Sequence, residues 1–183
     1  MTRKNPGFSM LEVLVVIAII GIVAAFALPG AINFVKAYRL HADASAIASQ
    51  LNVARFRATS QYTPYRLRFD AANGLFSTDR LSSDYSSSSA TEVSLGLQPG
   101  IRMLSECPVS AKPGTIASSF SGISNSIYFN TRGLPVDSAG TPTNSNVIYL
   151  ANDNNLYDAV TVSLGGRITV WNYSEATSTW MPR

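Results

Sequence analysis

The chain has 183 residues, of which 46% are hydrophobic and 14% are charged, and its formal net charge is +3. A single cysteine and a single histidine exclude an internal disulfide and a metal site built on cysteine and histidine pairs. The sequence contains no glycine-rich phosphate loop, dinucleotide fingerprint or G-x-S-x-G nucleophile turn. The enzyme classes that depend on those motifs are therefore disfavoured.

The first thirty residues carry the strongest signal. A short leader with two basic residues ends at Gly7, and an apolar run extends from Phe8 to Leu28. At a rise of about 1.5 Å per residue, that run spans about 30 Å, the thickness of a bilayer's hydrocarbon core. Glu12 lies inside the run, where a charge costs about 2.5–3.5 kcal/mol at the bilayer centre, so a functional reason is expected for it.

An N-terminal apolar run has two interpretations. A secretory signal peptide has an apolar core of about 7–15 residues followed by a small-residue cleavage site. Here the core is longer and a helical pattern continues beyond it, which favours a membrane-spanning helix. Arg3 and Lys4 precede the span, so the N-terminus is expected in the cytoplasm and the rest of the chain outside. Pro29-Gly30 predicts a kink or break where the span ends.

The segment Gly7-Phe8-Ser9-Met10-Leu11-Glu12, followed by the apolar run and Pro29, resembles the prepilin signal of type IV pilins and type II secretion pseudopilins. The resemblance implies that a prepilin peptidase cleaves between Gly7 and Phe8 and that Phe8 becomes the N-methylated terminus. Glu12 is then the fifth residue of the mature chain, where the family carries its glutamate. Other pilin subunits and an inner-membrane assembly platform are the implied partners.

Glu12 is interpreted as an assembly residue. Cleavage leaves an α-amino group at Phe8, one helical turn before Glu12, and an axial offset between packed helices lets the carboxylate meet a neighbour's amine. Such a pair offsets the desolvation that each charge would suffer alone. The alternative is a glutamate that extends to the cytoplasmic headgroups.

Residues 31–60 continue a helical rhythm. The expected buried stripe recurs at intervals of mostly three and four residues and comprises Ile32, Val35, Tyr38, Ala42, Ile47, Leu51, Ala54 and Ala58. Polar and basic residues alternate with this stripe. A continuous helix, half in the membrane and half beneath a globular head, is expected.

From Tyr62 onward the hydrophobic period approaches two, which predicts strands. A hairpin is expected from Tyr65–Phe69 and Leu75–Ser77, and the serine-rich stretch Asp79–Thr91 is expected to form a surface loop. Further strands are predicted within 95–104, 126–130, 146–150 and 158–173.

The last of these segments contains a hairpin around Gly165-Gly166. A three-residue loop, Gly165–Arg167, would pair Leu164 with Ile168 on one buried face and leave Arg167 at the exposed tip. A two-residue loop would set apolar residues opposite polar ones and is disfavoured.

Three short segments resemble the GspH/FimT-like minor pilins: Leu51–Asp70, Phe129–Pro135 and Gly165–Ile168. The expected fold class is α+β, a pilin-like lollipop with a long N-terminal spine helix and an antiparallel β-sandwich-like head. The expected divisions are a leader (1–7), a transmembrane half-helix (8–29), an amphipathic half-helix (30–60) and the head (61–183).

Cys107, His41 and Asn152–Asn155 are residue types that carry chemistry in other proteins. Cys107 is expected to be a buried or loop thiol, and His41 a surface histidine of the helix. Asn152–Asn155 could hold calcium but lacks the spaced carboxylates of a calcium loop, so a polar turn is favoured. No metal and no cofactor is expected.

The charge distribution frames a second function. Residues 36–68 hold six basic residues and one acid, whereas residues 69–183 hold six basic and nine acidic residues. FimT-like pilins of natural transformation bind DNA through basic C-terminal tips, and Arg167 is the candidate contact here. For the four arginines Arg55, Arg57, Arg66 and Arg68, a solvated or inter-subunit face is favoured over DNA contact.

The expected function is therefore that of a non-enzymatic minor pseudopilin or pilin. It would initiate or cap a periplasmic filament of type II secretion or a type IV pilus. The expected location is the bacterial inner membrane, as a single-pass protein with its head in the periplasm. The alternative is a DNA-binding minor pilin for DNA uptake.

Overall fold

The computed structural model describes residues 9–85, 88–104, 106, 108–109, 126–143 and 146–183. Within these ranges the chain forms one helix and ten strands. They are α1 (Met10–Ser60), β1 (Tyr65–Asp70), β2 (Leu75–Leu81), β3 (Ser88–Gly96), β4 (Ile101–Leu104), β5 (Ser126–Phe129), β6 (Pro135–Val136), β7 (Asn146–Asn152), β8 (Tyr157–Val162), β9 (Ile168–Ser174) and β10 (Thr179–Pro182). The chain divides into two compact units, of which the first ends at Val35 and the second is Lys36–Arg183.

In the first unit, α1 exposes its apolar side chains. Ile17, Ile20 and Phe26 are 61%, 61% and 82% exposed. The helix is continuous from Met10 to Ser60, so a break at Pro29-Gly30 is wrong, while the alternative of a kink stays a prediction. A proline removes one backbone donor, and the hydrogen bonds of the flanking turns suffice to continue the helix on both sides.

In the second unit, α1 buries one face. The fully buried positions follow each other at spacings of four and three residues, which keeps them on one side of the helix: Leu40, Ala44, Ile47, Leu51, Ala54 and Ala58. The predicted stripe is confirmed from Ile47 onward. It is wrong at Ile32, Val35 and Tyr38, which are 56%, 43% and 64% exposed. Tyr38 lies about 200° around the helix from the buried Leu40.

The strands form two antiparallel sheets of five strands each. Sheet A has the order β3-β2-β1-β5-β6, and sheet B has the order β10-β9-β8-β7-β4. The buried face of α1 packs with residues of both sheets in one core, including Tyr65, Leu67, Phe129, Ile148 and Val160. The second unit therefore has a complete hydrophobic core of its own.

The predicted β1–β2 hairpin is confirmed, with Phe69 opposite Phe76. Two other predictions about sheet A are wrong. The expected strand 95–104 is divided: β3 ends at Gly96 in sheet A, and β4 begins at Ile101 in sheet B. Pro99-Gly100 separates them because proline cannot donate to a ladder and Gly100 adopts φ +84°.

The second wrong prediction is the extent of the surface loop at Asp79–Thr91: β2 continues to Leu81 and β3 begins at Ser88, and of the described residues only 82–85 lie outside the strands. Asp79 is fully buried in β2, and it pairs with Thr91 of β3 across the ladder. Its carboxylate accepts hydrogen bonds from Arg66 and Thr91. These contacts outweigh the turn preference of the serine-rich composition, since a satisfied buried carboxylate orders the strands around it.

The β8–β9 hairpin has a three-residue loop with a left-handed glycine, as predicted, but the loop is Leu164–Gly166 and not Gly165–Arg167. Val162 pairs with Ile168, and Leu164 is 51% exposed at the tip. Ser163 explains the difference: its backbone carbonyl accepts from Gly166 N–H, and its hydroxyl accepts from Arg167 N–H. The observed loop begins one residue before the predicted one, and it still keeps Val160, Val162 and their partners on the same buried face.

Candidate functional site

The N-terminal candidate site is the first turn of α1. Glu12 is exposed there, and its backbone N–H bonds to the carbonyl of Ser9 at 3.0 Å. Its apolar neighbours Leu11 and Val13 are also exposed, by 71% and 45%. The cleavage residues Gly7 and Phe8, like Cys107, lie outside the described residues. Glu12 is therefore a carboxylate on an apolar surface.

This surface has the length and composition of a membrane span. An 18-residue window of α1 has a mean hydropathy of 2.9, and no residue of that window is buried within the chain. Since helices that are apolar on every side require an apolar environment, the segment needs lipid or other helices around it.

A second candidate site lies where α1 meets one turn of each sheet. Arg55 donates from Nε to the carbonyl of Gly133 at 3.1 Å and from Nη1 to the carbonyl of Gly166 at 2.9 Å. Gly133 belongs to the β5–β6 turn of sheet A, and Gly166 belongs to the β8–β9 turn of sheet B. We call these segments the Gly133 turn (Asn130–Leu134) and the Gly166 turn (Ser163–Arg167). One guanidinium thus binds both.

Both turns bring exposed arginines to this location. Arg132 is exposed beside Gly133, and Arg167 is exposed beside Gly166. A Cβ atom built on Gly166 would lie 2.8 Å from the carbonyl oxygen of Gly133, so the two turns are in contact. Arg167 is exposed, as expected, but it follows the loop Leu164–Gly166 and does not lie at its tip. Sequence analysis missed that Arg132 lies in the turn that contacts the Gly166 turn.

The other predicted basic positions have partners within the chain. Arg57 forms an ion pair with Glu92. Arg66 donates twice to Asp79, at 2.6 and 3.1 Å, and its guanidinium lies over the ring of Tyr128. The prediction of a solvated or inter-subunit face is therefore wrong for the part-buried Arg55 and Arg66, whereas Arg57, with its side chain 33% exposed, lies at the surface in its ion pair. The Nε atom of Arg68 lies 3.8 Å from Oδ2 of Asp79, and the arginine side chain is 55% exposed. Its position agrees with the predicted solvated or inter-subunit face.

His41 is not the solvated surface residue that the sequence suggested. Its Nδ1 lies 2.6 Å from Oδ2 of Asp158, whose side chain is fully buried, and the histidine side chain is 21% exposed. Asn172 donates to the other carboxylate oxygen at 3.1 Å. The pair joins α1 to sheet B, and sequence analysis missed it because 117 positions separate the two residues.

Asn152–Asn155 forms the predicted polar turn between β7 and β8. The Asn152 side chain accepts hydrogen bonds from the backbone N–H groups of Asn154 and Leu156, at 2.9 and 3.0 Å. Its side-chain oxygen thus orders the turn itself. Among the described residues, no group of three or more His, Cys, Asp or Glu side chains is placed to hold a metal ion.

A groove of about 550 Å³ runs along the exposed face of α1 in the second unit. Its lining contains no charged side chain and comprises Ser45, Ala48, Ser49, Asn52, Val53, Phe56 and Val170. Phe56 is 71% exposed. Small residues beside an exposed aromatic ring form a surface that another helix can approach closely.

Known proteins resemble this chain in two respects, its N-terminal sequence and its fold. The family profile described as the prokaryotic N-terminal methylation motif matches residues 2–28. The type IV minor pilin FimU of Pseudomonas aeruginosa is 18% identical in sequence; the match covers 74% of this chain and 90% of FimU, with a TM-score of 0.52.

The chain carries an N-terminal methylation motif and has a pilin-like fold. The predicted α+β fold class, with one long N-terminal helix and two antiparallel sheets, is confirmed. Two structures of the minor pseudopilin EpsH from the type II secretion system of Vibrio cholerae also match this pilin-like chain. They are 11% and 13% identical, cover 72% and 74% of this chain and 95% and 94% of EpsH, and have TM-scores of 0.48 and 0.45. Comparison with curated protein sequences finds no match.

Proposed function

We propose that this chain is a minor pilin or pseudopilin: a structural subunit, not an enzyme, that initiates or caps a pilus-like filament of type II secretion or a type IV pilus. The observation that carries the proposal is the methylation motif over residues 2–28, continuous with an exposed apolar helix. The pilin-like fold of the head supports it. The proposed partners are other pilin subunits, prepilin peptidase and an inner-membrane assembly platform.

The proposed maturation follows from the motif. Prepilin peptidase removes the leader 1–7 by cutting between Gly7 and Phe8, and Phe8 is then methylated. Arg3 and Lys4 hold the N-terminus in the cytoplasm, so the transmembrane half-helix (8–29) crosses the inner membrane once. The half-helix 30–60 and the head 61–183 then lie in the periplasm.

Glu12 is proposed to set the axial register of the subunit in the filament. It is exposed on a helix whose other large side chains are also exposed and apolar. A carboxylate in such surroundings is stabilised when a neighbouring subunit's Phe8 amine lies against it. The uncharged groove beside Phe56 supports lateral packing of subunits farther along the helix.

The test is filament incorporation of Glu12→Ala, measured by quantifying the subunit in sheared or cross-linked filaments of its native host. We expect cleavage and folding to be unchanged, and incorporation to fall at least about tenfold, since an unpaired buried amine costs several kcal/mol. Ser9→Ala, in the same turn, is the matched control and should incorporate normally. Normal incorporation of Glu12→Ala would contradict the proposal and favour a glutamate that extends to the headgroups.

A second candidate function is DNA binding during natural transformation. The observation that favours it is the contact between the Gly133 and Gly166 turns, which brings the exposed Arg132 and Arg167 to one location. Clustered cations are what phosphate binding requires.

The test is duplex DNA binding by the full chain in detergent across a salt series. If this function holds, Arg132→Ala and Arg167→Ala each weaken binding and reduce the salt slope by about 1. Arg102→Ala, at an exposed position on β4, is the control. No binding at low salt would eliminate the candidate and leave the filament role unaffected.

A further inference from the structure

The three segments that resemble GspH/FimT-like minor pilins lie far apart in the chain but meet at one location. Leu51–Asp70 contributes Arg55, Phe129–Pro135 contributes Gly133, and Gly165–Ile168 contributes Gly166. The Arg55 side chain spans 78 and 111 sequence positions to reach the two carbonyls. Its half-buried guanidinium donates to a turn of each sheet.

The Gly133 and Gly166 turns have the same construction. In each, the fourth residue donates its N–H to the carbonyl of the first, at 2.8 Å in the Gly133 turn and 2.7 Å in the Gly166 turn. The side-chain oxygen of the first residue, Asn130 or Ser163, accepts from the N–H of the fifth. The glycine occupies the fourth position with φ +74° or +78°.

The turn geometry alone does not require glycine. The β7–β8 turn has the same pattern of hydrogen bonds, and its fourth residue is Asn155 with φ +56°. Asparagine tolerates the left-handed conformation better than most residues. A different constraint must therefore explain glycine in the two turns that contact Arg55.

That constraint is close approach. A Cβ on Gly133 would lie 2.9 Å from Cγ2 of Thr59 and 3.2 Å from Cγ of Arg55. A Cβ on Gly166 would lie 2.8 Å from the Gly133 carbonyl oxygen and 3.0 Å from Nε of Arg55. Glycine at both positions lets each carbonyl reach the guanidinium and lets the turns touch each other.

We propose that Arg55 acts as a latch, which joins the Gly133 turn of sheet A and the Gly166 turn of sheet B into one unit on α1. The two sheets are separate hydrogen-bonded ladders, so coupling between them depends on side chains. Arg suits this role because its planar fork donates in two directions at once, whereas a lysine ammonium carries no such fork. Loss of the latch loosens both turns together.

The experiment is residue-resolved amide hydrogen exchange of the full chain in detergent. The reporting amides are Gly133 and Leu134 in one turn and Gly166 and Arg167 in the other. Arg55→Ala should raise exchange at all four by at least about tenfold, because each turn loses a charge-assisted hydrogen bond. Gly166→Asn tolerates the left-handed backbone but adds the obstructing Cβ. It should therefore raise exchange at Gly133 and Leu134, in the other sheet, as well as in its own turn.

Two controls isolate the effect. Gly74→Asn places the same substitution at φ +62°, where the new Cβ would meet only Leu97, at 3.9 Å. Arg57→Ala removes a neighbouring arginine that pairs with Glu92. Both should leave exchange in the two turns unchanged.

If Arg55→Ala fails to fold, Arg55→Lys takes its place in the hydrogen-exchange test. It should raise exchange in both turns by a smaller factor. Exchange that rises in one turn alone, after Arg55 or Gly166 is changed, would overturn the latch. Unchanged exchange after either substitution would overturn it as well.

Discussion

The two compact units of the chain differ in whether their apolar and acidic side chains are exposed or buried. In the first unit, the large apolar side chains of α1 are exposed, and Glu12 is exposed among them. In the second, apolar side chains are buried in one large cluster and in a smaller one around Trp180. Asp43, Asp79 and Asp158 are buried there with hydrogen-bond partners from the chain itself. The second unit buries its own apolar residues and pairs its own buried acids, whereas the apolar helix of the first unit requires an apolar environment from outside.

The largest expected effect comes from removing a buried acid of the head. Asp79→Ala leaves Arg66 without its carboxylate partner and should lower the free energy of unfolding by about 3–5 kcal/mol. Denaturant unfolding in detergent, followed by tryptophan fluorescence, measures this. Arg68→Ala is the control, because Arg68 is 55% exposed and should cost less than about 1 kcal/mol. Equal effects would refute the difference between buried and exposed pairs in this sheet.

The next effect compares one apolar residue from each unit. Leu51→Ala removes a fully buried side chain from the core and should cost about 2–5 kcal/mol. Ile20→Ala, at a position 61% exposed, should leave head unfolding unchanged. Both tryptophans, Trp171 and Trp180, lie in sheet B, so fluorescence reports on the head alone. A loss of head stability in Ile20→Ala would show that the first unit contributes to the core.

The smallest expected effect is a dependence on pH. Burial raises the pKa of Asp43 above its usual 3.8, and the hydrogen bond from the Gln98 N–H partly opposes this. The folded chain therefore holds the Asp43 proton more tightly than the unfolded chain does. The contribution of this proton to the free energy of unfolding is fully present below about pH 3.8. It is lost as the pH rises through the raised pKa.

Asp43→Asn cannot titrate, so it is the matched reference. The stability of the natural chain relative to Asp43→Asn should be constant below about pH 3.8 and should fall as the pH rises above it. A pH-independent difference between the two proteins would be incompatible with a raised pKa for Asp43.

Local patterns predicted the elements whose cause is local. The run after Gly7 and the spacing of Ile47, Leu51 and Ala54 predicted a helix, because burial on one face requires that period. The alternation from Tyr65 to Phe69 predicted the first hairpin for the same reason. The length and turn type of the β8–β9 loop were predicted from the sequence. Its position was not, because the hydrogen bond to the Ser163 side chain places the loop one residue closer to the N-terminus.

The local sequence patterns did not predict contacts between residues that lie far apart in the chain. Asp79 stands in a serine-rich stretch typical of loops, and Arg66, 13 positions away, is what keeps it in a strand. Neither the His41–Asp158 contact nor the Arg55 contacts have a sequence period, because they join residues more than 70 positions apart. The one available signal was that Arg55, Gly133 and Gly166 each lie in a segment that resembles the same group of proteins.

The measurement that tests the central claim most directly is the intact mass and N-terminal fragmentation of the protein from its native host. The account predicts a mature chain that begins at Phe8, carries an N-methyl group and retains the apolar helix with Glu12. A chain that still begins at Met1, or one cut after the apolar run and released without it, would contradict the account.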